Sequence, residues 1–127
     1  MANVTTVQTL IDGQRNLVML LTGVLDTSNE AKTVKVDVSA LGVPADEVVV
    51  DKIEYSISGS LKVLLNWDAT ADVTFAALSG QGEVCAKDCG GIKNNAGAGK
   101  TGDIELSTQG WAAGVETYTI LLWMRRN

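Results

Sequence analysis

The sequence predicts an all-β fold: one antiparallel β-sandwich, jelly-roll-like, of about eight strands. Three observations point there. Apolar and polar residues alternate with a period of two through most of the chain. Clusters of Gly, Asn, Asp and Ser punctuate these segments at short intervals. No segment joins a helical apolar stripe to a cap at each end.

Residues 4–11, Val-Thr-Thr-Val-Gln-Thr-Leu-Ile, form the first expected strand. It is uncharged and rich in β-formers, which suits an edge strand or an arm that pairs with another chain. Asp12-Gly13 signals a hairpin turn. The second strand, 15–24, holds Leu17-Val18-Met19-Leu20-Leu21, apolar on both faces. That pattern fits a central strand or one covered by a partner, and a short buried helix shares it. After the polar turn Asp26–Asn29, residues 32–39 alternate through Val34, Val36 and Val38. Pro44, the only proline, lies in the next connection, and residues 45–50 have room for one helical turn.

Strand 48–58 carries Ile53, Tyr55 and Ile57 on one face. Ser58-Gly59-Ser60 reverses the chain into 61–67, with Leu61, Val63, Leu65 and Trp67 in step. Strand 72–78 follows, ended by Ser79-Gly80-Gln81-Gly82. Residues 79–102 are expected as one long Gly-rich loop, a kind that commonly carries function. Strands 103–108 and 115–125 close the chain around a turn at Trp111, and Tyr118–Met124 is again apolar on both faces.

At 127 residues the chain is most simply one domain, with 46% apolar residues to build a core. The net charge is −5, and acidic and basic residues are interspersed, so no phosphate-tracking surface and no nucleic-acid partner are expected. The N-terminus lacks a basic stretch leading into an apolar one, which predicts no secretory signal and synthesis in the cytoplasm. Leu17–Leu21 is far shorter than the about 20 residues a membrane helix needs, so no membrane partner is expected. There is no histidine, which removes Ser-His-Asp and Cys-His nucleophile systems. Cys85 and Cys89 read as free thiols, a local disulfide, or half of a metal site that lacks its other ligands.

Gly97-Ala98-Gly99-Lys100-Thr101 looks like the end of a phosphate-binding loop. The required first glycine is replaced by Asn94, and a strand pattern follows where a helix belongs. Asp68-Ala69-Thr70-Ala71-Asp72 starts like a calcium loop, but Val73 and Ser79 stand where Gly and Glu are needed. Asp46-Glu47, Asp51-Glu54 and Asp103-Glu105 are the nearest carboxylate pairs, and nothing places one in a cleft. Trp67 and Trp123 suit the core or an intersubunit seam. Trp111 suits either an exposed sugar or protein platform or a lid on the sandwich. No catalytic residue, cofactor or metal ligand is assigned, and the chain is read as a non-enzyme.

Five segments carry a resemblance. They are Asn3–Gly23, Lys52-Ile53-Glu54-Tyr55-Ser56, Leu64-Leu65-Asn66-Trp67-Asp68, Gly90–Ile104 and Tyr118–Arg125. Together they resemble the small virion structural proteins of tailed bacteriophages, of the type that decorates or cements the head. The resemblance implies an all-β fold, frequent trimers, binding to the major capsid protein and a place on the virion surface. It also implies that Asn94–Asp103 is a turn between sheet segments. A tail or head–tail role, and a carbohydrate-binding module using Trp111, stand as alternatives. The expected partner interface is Val4, Thr6, Val7 and Leu10 of the N-terminal arm, Lys93, Asn94, Asn95 and Lys100 of the long loop, and Trp111.

Overall fold

The computed structural model describes residues 3–13, 15–26, 28–30, 32–38, 48–59, 61–87, 90–99, 101–111 and 114–126. These residues form nine strands: β1 (Val4–Asp12), β2 (Asn16–Leu25), β3 (Thr33–Val36), β4 (Val48–Ile57), β5 (Lys62–Trp67), β6 (Val73–Leu78), β7 (Gln81–Cys85), β8 (Ile104–Gln109) and β9 (Glu116–Arg126). One sheet runs β1-β2-β9-β4-β7 and the other β3-β8-β5-β6, with every pairing antiparallel. The first is called sheet A and the second sheet B.

Period-two alternation explains the core. Leu17, Met19, Leu21 and Leu25 of β2 line the same face as Tyr118, Ile120, Leu122 and Met124 of β9. Val63, Leu65 and Trp67 of β5 meet Ile104 and Leu106 of β8 across sheet B. These residues of both sheets join in one buried cluster, the sandwich that the alternation predicts. The two stretches that are apolar on both faces, in β2 and β9, are indeed adjacent inner strands, and Leu17–Leu21 is strand rather than helix.

Two expectations are corrected. Residues 79–102 are not a single irregular loop: Gln81–Cys85 pairs with Lys52–Ser56, and Ile92 bridges to Val50. Only Ser79-Gly80 separates β6 in sheet B from β7 in sheet A, with Gly80 at φ 69° supplying the bend. The helical turn considered for 45–50 is strand from Val48 onward, and 45–47 lie outside the described residues.

Bulges re-aim single side chains. In β3 the register slips between Val34 and Val36, so both Lys35 and Val36 are buried. Lys35 Nζ lies 2.6 Å from Glu30 Oε2, and the Tyr118 hydroxyl donates to Glu30 Oε1 at 2.6 Å. Burial and the adjacent carboxylate push the Tyr118 phenol far above its ordinary range. The slip in β4 buries Asp51, where Arg125 Nε donates to both carboxylate oxygens at 3.0 and 2.8 Å. The slip in β6 leaves Phe75 stacked on Trp67 with ring centroids 4.3 Å apart.

Candidate interface on the outer face of sheet A

The face of sheet A turned away from the core is fixed by register. Ile11, Val18, Trp123, Lys52 and Cys85 form one row across five strands. Gln8, Leu20, Leu121, Glu54 and Glu83 form the next, followed by Thr6, Thr22, Thr119, Ser56 and Gln81. In the first two rows the β1-β2-β9 side is mostly apolar and the β4-β7 side mostly charged, and the third row is polar without charge. Ile11 is 49% exposed, Val24 43% and Trp123 37%. Lys52 bridges Glu54 at 2.8 Å and Glu83 at 3.3 Å, and its ammonium sits 5.6 Å from the Trp123 ring centroid. A shallow depression of about 470 Å³ runs over Ile11, Val18, Lys52, Cys85 and Trp123. A second, of about 300 Å³, lies over Leu20, Thr119 and Leu121.

β1 is unusual for an edge strand. Val4 to Ile11 are exposed on both alternating faces, so sheet B does not cover its inner side. Val4 is 62% exposed and Leu10, the bulged residue, 52%. Its start is tied down by Asn3, which donates to the Ser28 carbonyl and accepts from the Asp26 amide.

The expected interface residues do not form one site. Val4, Thr6, Val7 and Leu10 lie together on β1. Lys93, Asn94 and Asn95 follow the Ile92 bridge beyond β4, four strand spacings from β1. At about 4.8 Å per spacing that is roughly 19 Å. Lys93 and Asn95 are exposed, whereas Asn94 turns inward and accepts from the Ala96 amide at 3.0 Å. Lys100 lies outside the described residues. Trp111 is a lid rather than a platform: it is half-buried against the core, and its indole N–H donates to the Gly114 carbonyl.

The Gly-rich segment is a clamp on the β5–β6 turn. Thr70 N–H donates to the Ala98 carbonyl, and Thr101 donates to the Asp68 carboxylate at 2.8 Å and to its carbonyl. Strand β8 follows at Ile104, not a helix, so the geometry lacks the helix N-terminus a phosphate loop uses. Asp68 and Asp72 of this turn meet Glu105, with one oxygen from each within 4.8 Å of the others. Asp103 precedes β8 and accepts from the Val38 amide. Lys32 donates to Asp72 at 2.6 Å and, with the Ala69 amide, holds its carboxyl down at about 2. Burial, then the hydrogen bond with Asp72, pushes Glu105 up to about 7. A protein ammonium and a retained proton thus offset the carboxylate charges. Cys85 is exposed at the end of β7, and Cys89 lies outside the described residues.

Sequence reasoning did not join Ile11, Val18, Leu20, Leu121 and Trp123 into one outer face, although it offered Trp123 an intersubunit seam. The signal for that face was present in the both-face apolar runs of β2 and β9, which fit a central strand or one covered by a partner equally well. No family model matches this chain, and no curated protein matches it.

Proposed function

We propose that this chain is a structural protein of a tailed-phage virion that binds the outside of the capsid and stabilises the shell. The observation that carries this reading is the uncovered apolar area of sheet A around Ile11, Leu121 and Trp123, flanked by the charged trio Lys52, Glu54 and Glu83. An exposed apolar centre with a charged margin is how protein–protein contact surfaces are built. The virion assignment itself rests on the sequence resemblance. Bridging neighbouring capsid subunits buries this area only in the assembled shell, so binding adds to shell stability by mass action. The half-burial of Trp111 against the core and its indole bond to Gly114 support the lid reading over the sugar platform.

The test is add-back of purified protein to heads that lack it, read by cryo-microscopy and by the temperature at which shells open. Density on the outer shell and a raised opening temperature are expected. Trp123→Ala with Leu121→Asp should weaken binding at least about tenfold while the fold persists. Density confined to the tail would overturn the capsid reading. The trimer implied by the resemblance is decided by solution mass.

A further inference from the structure

We propose that β1 is a seam between two copies of this chain, pairing antiparallel with itself about a two-fold axis to continue sheet A across the dimer. The seam rests on β1 alone; it excludes the trimer that the resemblance implies but not binding to a capsid.

Four edge strands bound the two sheets among the described residues. β3 is four residues long. β7 carries Glu83, already paired with Lys52. β6 packs Phe75 against the core. β1 is different: it spans nine residues, carries no charge from Val4 to Ile11, and exposes both faces. Natural edges are usually guarded by charge, proline or brevity. The only such device on β1 is the bulge at Leu10, near its far end.

The occupant follows from symmetry. A two-fold axis normal to the sheet keeps each face with its like, so facing residues must have the same parity. Only registers centred on a residue satisfy this. Centring on Val7 sets Val7 against Val7, Thr6 against Gln8, Thr5 against Thr9 and Val4 against Leu10. Apolar meets apolar and polar meets polar from Thr5 to Thr9, and Val4 falls opposite the bulge at Leu10. Centring on Thr6 sets Thr5 against Val7 and Val4 against Gln8, and centring on Gln8 sets Val7 against Thr9 and Thr6 against Leu10. The strand is thus nearly palindromic about Val7, which is what an isologous contact requires. The absence of charge also matters: an uncharged edge sets no like charges face to face across the seam. Pairing also joins the two apolar outer faces into one surface, with Val4 and Ile11 of each copy at its middle.

Sedimentation and light scattering on the full chain at several concentrations test the seam. A dimer is expected. Val7→Lys sets two ammoniums face to face and should raise the dissociation constant at least about tenfold, whereas Val7→Ile should not. If Val7→Lys fails to fold, Thr6→Lys with Gln8→Lys places the same repulsion on the solvent side of the strand. In a Cys85→Ser, Cys89→Ser background, Val7→Cys should be captured as a covalent dimer by a short bis-maleimide. Val34→Cys, equally exposed on the β3 edge, should not. A monomer at every concentration, a trimer, a dimer indifferent to both lysine variants, or equal capture at position 34 would overturn the proposal.

Discussion

Glu30 shows how far a single residue organises this sandwich. Its carboxylate takes the Lys35 ammonium on one oxygen and the Tyr118 hydroxyl on the other, and its amide donates to Thr108 at 2.6 Å. Removing one partner strands the rest in a buried site. Lys35→Ala is expected to cost about 3–5 kcal/mol in urea unfolding, because a buried carboxylate loses its counter-charge. Tyr118→Phe should cost about 1.5–3 kcal/mol, the range for a hydrogen bond to a charged group. Neither role was legible in the sequence. Lys35 sits between two valines of an alternating run and reads as solvent-facing until the bulge turns it inward. Glu105 makes the pH-dependent contribution. Its folded-state carboxyl, near 7, lies above the ordinary 4.5, so the folded state binds the proton more tightly. That contribution favours the fold below about pH 4.5 and is lost as pH rises through about 7. Asp72 runs oppositely: its contribution is present above 3.8 and lost as pH falls through about 2. The thermal midpoint measured against Glu105→Gln should therefore decline between about pH 4.5 and 7; parallel curves would contradict this.

At the scale of elements, strands with a buried face were readable, and the fully exposed β7 was not. β2, β4, β5, β8 and β9 fall within one residue of their expected ends at nearly every terminus, since each has several β-formers in step with a buried face. β7 escaped because Gln81-Gly82-Glu83-Val84-Cys85 has one β-branched residue and no buried face. Pairing with β4, not local propensity, makes it a strand. The segment after it is held by backbone contacts: Gly91 donates to Ala86, and Ile92 exchanges hydrogen bonds with Val50 at 3.0 and 2.7 Å. Gly91 has φ 86°, and a Cβ there would lie 2.3 Å from Val49. Gly91→Ala is accordingly expected to lose about 1–3 kcal/mol. Amide exchange at Ile92 should accelerate, and unchanged protection would show that the segment does not depend on that glycine.

At the scale of the molecule, sheet A is wider than sheet B, five strands to four among the described residues, and its strand β1 projects uncovered. The all-β class was readable from period and turns. The two-sheet partition was not, because a reversal such as Ser58-Gly59-Ser60 looks the same as a hairpin and as a corner. Here it is a corner: β4 belongs to sheet A and β5 to sheet B. The apolar outer face was half readable. The runs in β2 and β9 announced two buried faces; the inner one is fully buried by this chain, and the outer one only in part, with Val18 buried and Trp123 exposed. A C-terminal truncation before Glu116 should therefore abolish both the fold and surface binding, seen as loss of the unfolding transition.

The place of β9 between β2 and β4 has a temporal consequence. Asn16 pairs with Arg125, so a strand made early waits for one made last. Until Glu116–Arg126 leave the ribosome, β2 has no inner neighbour. Such long-range pairing folds slowly. The row Ile11-Val18-Trp123 likewise comes into being only when Trp123 arrives. A chain cut before Trp123 thus lacks the row Ile11-Val18-Trp123, whatever that row meets.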